Sequence, residues 1–204
     1  RNASDIKTVR DLVPNDIKII AKIELKAALD NIAEILDVAD GVMVARGDLG
    51  VQLPLEQVPF VQKQILDAAN KKGKISITAT EMLQSMKSSY RPTRAEVTDI
   101  TNAILEGSDA VMLSAETSIG DNPNRVVEVM SLICKETDSK NDTSSLLSKE
   151  NTSEDSTATL ARAAVQVANE IQAKAIVAFT ETGRTPLLIS NFRPQAEIIT
   201  FSTK

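Results

Sequence analysis

The sequence predicts an α/β fold in which parallel strands alternate with helices. Short β-branched runs alternate along the chain with longer amphipathic runs that have the periodicity of a helix. The strand candidates are almost continuously apolar, which is typical of a parallel sheet with both faces covered. Four successive strand–helix units of this kind imply right-handed crossovers and an α/β architecture. The four strands are predicted at 17–23, 41–46, 74–79 and 110–114.

Helical patterns flank these strands, and a polar segment follows them. The helices are predicted at 4–12, where Ser4 is the expected cap, and at 26–38, 55–72, 95–106 and 123–138. Residues 139–156 are rich in Ser, Asn, Asp and Glu and predict an exposed linker. Beyond them we predict helix 157–171, strand 174–179, helix 184–191 and strand 196–201. The chain thus divides into a first domain at 1–138, a linker at 139–156 and a second domain at 157–204.

Composition excludes several classes of function. The formal net charge is −5 and no polybasic run is present, so we expect neither nucleic acid nor a membrane surface as a partner. The single cysteine, Cys134, excludes an internal disulfide and fits a reducing compartment. Histidine is absent, so any chemistry depends on Lys, Arg, Asp, Glu, Thr, Ser and backbone N–H groups.

Polar and ionisable residues gather where each of the first four strands stops, whereas the strand bodies stay apolar. In a (β/α)8 barrel the carboxyl ends of the strands carry the active site. Four consecutive strand ends of this kind therefore favour a catalytic edge. The residues are Lys22, Glu24, Arg46, Asp48, Thr80, Glu81, Ser114 and Glu116.

Two carboxylates on neighbouring strands, Glu24 and Asp48, could offer hard oxygen ligands to Mg²⁺ or Mn²⁺. Gly47, with Gly50 close behind it, lets the backbone approach an anion. Lys22 lies two residues before Glu24, on the same strand face, and could stabilise a phosphate or an oxyanion. The alternative is purely structural, with a Lys–Glu pair and an Arg–Asp pair closing off two strand ends.

Several segments together resemble the pyruvate kinase family, in the same order and at similar spacings, over essentially the whole chain. They are IIAKIE, DGVMVARGDLG, ATEMLQSM, RPTRAEVTDITNAILEGSDAVMLSAET and TGRTP. The resemblance implies half of a (β/α)8 TIM barrel, strands five to eight, followed by part of a three-layer α/β/α C-terminal domain that binds effectors. It also implies transfer of a phosphoryl group from phosphoenolpyruvate to ADP, giving pyruvate and ATP in glycolysis in the cytoplasm. The chain would be a fragment of a homotetrameric enzyme, inactive by itself, with Mg²⁺ or Mn²⁺ as cofactor and a K⁺ site outside this chain.

The resemblance assigns the first roles to the charged strand ends. Lys22 corresponds to the lysine that stabilises the phosphoryl group in transfer, and Glu24 and Asp48 correspond to the divalent-metal ligands. The loop whose backbone amides hold the pyruvate carboxylate corresponds to Ala45, Arg46, Gly47 and Asp48.

The remaining roles concern proton transfer, assembly and regulation. Thr80 corresponds to the threonine beside the carbon that is protonated, and Ser114 and Glu116 to a polar pair near that proton path. Arg94 corresponds to an arginine at a subunit interface that reaches a neighbouring active site. A loop that binds the phosphate of a sugar-phosphate activator corresponds to Thr180, Glu181, Thr182, Gly183, Arg184 and Thr185. The alternative for that segment is a plain helix start after a strand.

Two positions depart from the usual family pattern. Leu25 stands after Glu24 where the family usually has Asn, which leaves the shape of that turn open. Glu81 stands beside Thr80 in place of Gln, and we expect its charge to point away from the site or to pair with a cation. Two other functions remain open: an Mg²⁺-dependent barrel lyase that handles an enolate, and a non-catalytic interaction fragment.

Overall fold

The computed structural model describes residues 1–140 and 156–203. The chain forms two compact units, Arg1–Asn141 and Asp142–Lys204. The first contains a four-stranded parallel sheet in the order β1-β2-β3-β4, so each strand lies beside its neighbour in sequence. Its strands are β1 Ile20–Ile23, β2 Gly41–Ala45, β3 Ile75–Ala79 and β4 Ala110–Met112. The predicted α/β fold with parallel strands is confirmed.

Helices connect these strands and are more broken than the sequence pattern suggests. They are α1 Ala3–Arg10, α2 Lys26–Asp30, α3 Ile32–Val38, α4 Arg46–Gln52, α5 Val58–Lys71, α6 Arg94–Leu105, α7 Ala115–Ser118 and α8 Pro123–Lys140, with 3₁₀ turns at Leu55–Gln57 and Gln84–Lys87. The helix predicted at 26–38 is interrupted at Asn31, whose φ of −109° and ψ of 15° lie outside the helical region. The short α4 and α7 were not predicted as separate helices, because a single turn or two carries little periodicity.

The cap of the first helix differs from the prediction. Asn2, not Ser4, is the N-cap: its side chain accepts the backbone N–H of Asp5, and the Asp5 side chain accepts the N–H of Asn2. This reciprocal capping box satisfies two backbone donors that the helix start would leave open. Ser4 donates its hydroxyl to the Asn2 side chain and so supports the cap.

The two faces of the sheet differ in burial. Val42 and Val44 of β2 are fully buried and belong to a core cluster with Ile65 and Leu66 of α5. Lys22 points to the other face, where it is paired in register with the half-buried Met43. Side chains alternate between the two faces along a strand. Because the apolar side chains on one face pack against the helices, Lys22 lies on the opposite face, away from that core.

Strand register brings the carboxyl ends to one edge. Ile23 is paired with Val44, and Ala45 with Ala79, so the residues that follow these strands leave the sheet side by side. The four predicted strand-end groups therefore share an edge, as expected for parallel strands.

The amino edge of the same sheet needs a glycine. A Cβ on Gly41 would lie 2.5 Å from the backbone oxygen of Ile75 and 2.7 Å from Cδ1 of Ile20. No side chain fits between neighbouring strands at that distance, so Gly41 fixes how closely β2 approaches β3.

The second unit contains helices α9 Ser156–Glu170 and α10 Arg184–Asn191 with two parallel strands, β5 Ala175–Phe179 and β6 Glu197–Phe201. The rings of Phe179 and Phe201 stack with centroids 5.6 Å apart. Of the predicted linker 139–156, the first two residues belong to α8 and the last begins α9, and the rest lies outside the described residues. In the described part of the chain, no helix is both long and apolar enough to cross a bilayer.

Candidate functional site

Lys22 lies between two carboxylates from adjacent strands. Its Nζ is 2.5 Å from Oε2 of Glu24 and 2.9 Å from Oδ2 of Asp48. Hydrogen bonds to Glu24 and then to Asp48 raise the pKa of Lys22 above its ordinary value, so the ammonium stays charged at neutral pH. The side chains of Lys22, Glu24 and Asp48 are 51%, 38% and 53% exposed, and ion pairs of this kind contribute only about 0–1 kcal/mol to stability. Stability alone therefore gives little reason to place three charges here.

These carboxylates fit a hard divalent cation. The Glu24 and Asp48 oxygens both contact the Nζ of Lys22, so the distance between them cannot exceed the sum of the two Nζ–O distances. Magnesium in proteins is commonly bound by one or two carboxylates, with water and substrate oxygens completing the shell. Among the described residues no group of three or more His, Cys, Asp or Glu forms a metal cluster. Glu24 and Asp48 could therefore supply two oxygen ligands, with other coordination positions open to water and substrate.

Arg46 does not pair with Asp48, so the Arg–Asp pair of the purely structural alternative does not form, whereas its Lys–Glu pair does. The Arg46 side chain turns into the interior, where only 9% of it is exposed, and Nη1 lies 2.7 and 2.6 Å from the two oxygens of Asp99. The same nitrogen is 3.5 Å from Oε1 of the buried Gln62, whose amide nitrogen donates to Glu106 at 2.8 Å. A buried guanidinium needs such partners because an unpaired charge away from water is costly.

The turn after β3 has an unfavourable backbone. Thr80 and Glu81 have φ values of 70° and 54°, so two consecutive non-glycine residues occupy the left-handed region. A β-branched residue is an outlier there, and each such residue costs about 1–3 kcal/mol. Arg46 compensates by donating from Nη2 to the carbonyl oxygens of Thr80 at 2.7 Å and Glu81 at 3.3 Å.

The start of α4 supplies the predicted backbone donors. Ala45 ends β2 and is the N-cap of α4, and Arg46, Gly47 and Asp48 form its first turn. The Gly47 N–H donates to Oγ1 of Thr80 at 2.9 Å, and that hydroxyl donates to the carbonyl oxygen of Ala79 at 2.6 Å. One of the four predicted amides is therefore already bonded to the predicted proton-transfer residue.

No protein atom requires glycine at position 47. A Cβ there would lie 3.5 Å from Oγ1 and 3.8 Å from Cβ of Thr80, which are ordinary contacts. At Gly50 the nearest atom to an added Cβ is Cδ1 of Leu55 at 3.6 Å. Glycine at this position therefore relieves no clash within the protein and is consistent with the close approach of a ligand to the backbone.

Glu116 is fully buried, and its two oxygens accept backbone N–H groups from different segments. Oε1 accepts from Leu83 at 3.2 Å and Oε2 from Ser114 at 2.8 Å. The carboxylate therefore joins the turn that follows Thr80 to the end of β4. Ser114 itself is half-buried at the N-cap of α7. Ser114 could therefore contact a substrate, whereas both oxygens of Glu116 are bonded to backbone N–H groups.

Three other singled-out residues lie at the periphery. Arg94 is the first residue of α6 and is exposed, behind a capping box formed by Thr93 and Glu96. The side chain of Glu81 is exposed and forms no ion pair with any residue that the structure describes. Leu25 is the N-cap of α2 and makes no side-chain hydrogen bond to it, so this helix start lacks the usual polar cap.

In the second unit, the predicted phosphate loop links β5 to α10. Gly183 is the N-cap of α10 with φ of 82°, a conformation that favours glycine, and its N–H donates to Oγ1 of Thr180 at 3.0 Å. The exposed residues here include Glu181, Thr182 and Arg184, while Thr185 is half-buried. The segment is thus a largely exposed strand-to-helix turn.

Sequence reasoning missed the side chains that hold the turn after β3. Asp99 lies 53 residues beyond Arg46, on a helix whose polar positions read as a solvent face. Gln62 is a single buried amide in an amphipathic helix. Neither residue could be identified from its local sequence, because the fold, and not the spacing along the chain, brings it close to Arg46.

Taken together, the parallel strand order and a lysine flanked by carboxylates at the carboxyl edge define an α/β protein with a candidate site for an anion and a divalent cation. Comparison with known proteins is more specific. The family model "Pyruvate kinase, barrel domain" matches residues 1–127, and "Pyruvate kinase, alpha/beta domain" matches residues 158–204. The chain belongs to the pyruvate kinase family.

Relatives extend over nearly the whole chain. Pyruvate kinase of Clostridium perfringens is 44% identical across 98% of this chain, and that of Staphylococcus saprophyticus is 46% identical across 98%. A crystal structure of a pyruvate kinase from Cryptosporidium parvum matches all of the chain with a TM-score of 0.89 and 40% identity. The chain spans 44% of the first relative, 35% of the second and 44% of the crystallised chain. The predicted half-barrel followed by an α/β domain agrees with both family models.

Proposed function

We propose that this chain contributes part of the active site of a pyruvate kinase, which transfers the phosphoryl group of phosphoenolpyruvate to ADP. The observation that carries the proposal is the ammonium of Lys22 between the carboxylates of Glu24 and Asp48, at the carboxyl edge of a parallel sheet. Family membership favours this reaction over the lyase and the non-catalytic alternatives.

Lys22 is suited to the phosphoryl group in transfer. Phosphoryl transfer depends mainly on positioning and on neutralising the charge of the equatorial oxygens. Lys22 supplies a compact positive charge, and its raised pKa keeps that charge in place at neutral pH. When Mg²⁺ or Mn²⁺ is bound by Glu24 and Asp48, it would neutralise further phosphate charge as a Lewis acid.

The start of α4 is proposed to bind the carboxylate of the substrate through the backbone N–H groups of Ala45, Arg46, Gly47 and Asp48. The Gly47 N–H points at Thr80 in the structure, so this donor would be shared between the substrate carboxylate and the hydroxyl. The lack of a side chain at Gly47, where an added Cβ would lie 3.5 Å from Oγ1 of Thr80, supports this placement because it lets a ligand approach the backbone.

Thr80 is proposed to deliver the proton that converts enolpyruvate to pyruvate. Its O–H bond breaks as a C–H bond forms at the terminal carbon of the enolate, and the hydroxyl regains a proton from water. Ser114 is proposed to take part in that relay. Glu116 is proposed to act indirectly, since it holds the backbone of both segments in place.

A coupled assay of the full-length protein with phosphoenolpyruvate and ADP tests the reaction, and Gly47→Ala tests the binding mode. We expect the KM for phosphoenolpyruvate to rise at least about 10-fold, since one added methyl in a fitted pocket is worth about 10–200-fold. The fold should tolerate the change, because the new Cβ makes only ordinary contacts and alanine is favoured over glycine in a helix by about 0.5–1 kcal/mol.

Gly50→Ala in the same helix is the matched control and should leave this KM unchanged. Full-length protein without phosphotransfer activity would refute the proposed reaction. An unaltered KM in Gly47→Ala would refute the proposed position of the carboxylate.

The second unit is proposed to bind the phosphate of a sugar-phosphate activator at Thr180–Thr185. Hydroxyl groups, Gly183 at the N-cap and the start of the α10 helix support an anion there. The negative charge of Glu181 opposes this and would have to point away.

Substitution of Thr182 and Thr185 together by alanine should weaken this site. With fructose 1,6-bisphosphate as the probe, we expect the half-activating concentration to rise about 10-fold, the worth of one charge-assisted hydrogen bond. Ser190→Ala, near the other end of the same helix, is the control. An unchanged activation curve, or a parent enzyme that the probe does not activate, would contradict the assignment.

Other properties of the whole enzyme are proposed on the family resemblance alone. They are a homotetramer in which Arg94 reaches a neighbouring active site, use of K⁺, and a place in glycolysis. The cytoplasm is the location that we propose, since the single cysteine suits a reducing compartment.

A further inference from the structure

The hydroxyl of Thr80 can serve the proposed reaction only if its backbone stays in an unfavourable conformation. Thr80 and Glu81 are both left-handed, and Thr80 is β-branched. Relaxation of this turn to an ordinary conformation would redirect the side chain. Something outside the turn must therefore hold it.

One guanidinium contacts both residues of the turn. Arg46 donates to the carbonyl of Thr80 from Nη2 at 2.7 Å and from Nε at 3.3 Å, and to the carbonyl of Glu81 from Nη2 at 3.3 Å. The planar fork of arginine can bind two neighbouring acceptors in a fixed geometry, which the single ammonium of lysine cannot reproduce.

Asp99 in turn fixes the guanidinium. Both of its oxygens lie within hydrogen-bonding distance of Nη1 of Arg46, at 2.7 and 2.6 Å. This leaves Nη2 and Nε of Arg46 to bind the carbonyls of the turn. The Arg46 side chain is almost completely buried, so its orientation depends on these partners and not on water.

We propose that Arg46 and Asp99 form a positioning pair that sets the hydroxyl of Thr80 for proton transfer. The pair acts through the backbone of the turn: Arg46 binds the two carbonyls, and Thr80 Oγ1 is thereby kept against the N–H of Gly47, 2.9 Å away. The inference rests on the proposed function only for the proton transfer from the Thr80 hydroxyl to the enolate. The geometric part stands without it.

A double-mutant cycle in the full-length enzyme tests the coupling. Asp99→Asn keeps the shape of the side chain and removes its charge, and we expect kcat to fall about 10–100-fold, as for other groups that orient a reactive side chain. The KM for ADP should not change. In a Thr80→Ala background the same substitution should have no further effect on kcat, because the group that it positions is gone.

Asp40→Asn is the matched control. Asp40 pairs with Arg10 and accepts the N–H of Ile19 at the amino edge of the same sheet, so this variant removes an arginine–aspartate pair that has no contact with the turn. It should leave kcat unchanged. Equal losses from Asp99→Asn with and without Thr80 would overturn the proposal, since they would indicate an independent structural role. No loss in either background would overturn it as well.

Hydrogen–deuterium exchange at the Gly47 amide provides a test that needs no activity. We expect at least a 10-fold faster exchange in Asp99→Asn and in Arg46→Lys than in the parent or in Asp40→Asn. Arg46→Lys retains the positive charge and serves as the test if Asp99→Asn does not fold. Unchanged exchange in the folded variant would reject the positioning pair. A parent without phosphotransfer activity would reject the proposed function and leave the exchange result to decide the geometry.

Discussion

Substitution of Lys22 by methionine in the full-length enzyme is expected to lower kcat by about 10²–10³-fold, the usual effect of removing one preorganised group that stabilises transition-state charge. The structure gives the reason. Lys22 is held by two carboxylates at the carboxyl edge, and it lies on the sheet face opposite the buried valines. Methionine is similar in length and removes the charge alone.

The structure also predicts how the loss of kcat in Lys22→Met depends on pH. In the metal-free protein, hydrogen bonds to Glu24 and Asp48 raise the pKa of Lys22 above its ordinary value, so the ammonium keeps its proton until the pH is strongly alkaline. The ratio of parent to variant kcat should therefore stay constant between about pH 6 and about pH 9. A ratio that falls as pH rises through this range would mean that Lys22 titrates there and is not held as we describe.

Lys18→Met is the matched control. Lys18 precedes the same strand and pairs with Asp40 at 3.3 Å, at the opposite edge of the sheet. Its loss should leave kcat unaltered. Mn²⁺ binding measured by electron paramagnetic resonance should persist in Lys22→Met, since both oxygen ligands remain. A Lys22→Met enzyme with parental kcat would contradict the assigned role.

The parallel fold and the shared edge of the charged strand ends followed directly from the sequence. Continuous apolar strands specify a parallel sheet, and parallel strands bring their carboxyl ends together, so Lys22, Glu24 and Asp48 were correctly expected to be close. The strand limits were less well predicted: β1 starts at Ile20 and not at residue 17, because β-branched residues continue the pattern beyond the hydrogen-bonded ladder.

The turn after β3 could not be predicted. Local preference argues against threonine in the left-handed region, yet Thr80 adopts it because a guanidinium from the start of α4 binds its carbonyl. Conflicts between local preference and observed structure are expected at functional sites. The orientation of Arg46 was missed for the same reason, since its partner Asp99 is brought close only by tertiary packing.

The carboxylates themselves give the second large effect. Glu24→Gln with Asp48→Asn should weaken Mn²⁺ binding by at least about 100-fold, since even groups that only orient metal ligands cost about 10–100-fold when removed. Amide side chains keep the shape of the originals but bind a hard cation less well than carboxylates. Turnover at low Mn²⁺ should fall in proportion and recover in part when the metal concentration is raised.

Glu56→Gln, an exposed carboxylate in the same strand-to-helix connection, is the control and should bind Mn²⁺ as the parent does. Thermal stability should change little in the double variant, because the two carboxylates are 38% and 53% exposed and, among the described residues, form ion pairs with Lys22 alone. This separates loss of the metal from loss of the fold. Parental Mn²⁺ affinity in the double variant would show that the two side chains do not form the cation site, and the function of Lys22 would then have to be explained without a neighbouring metal.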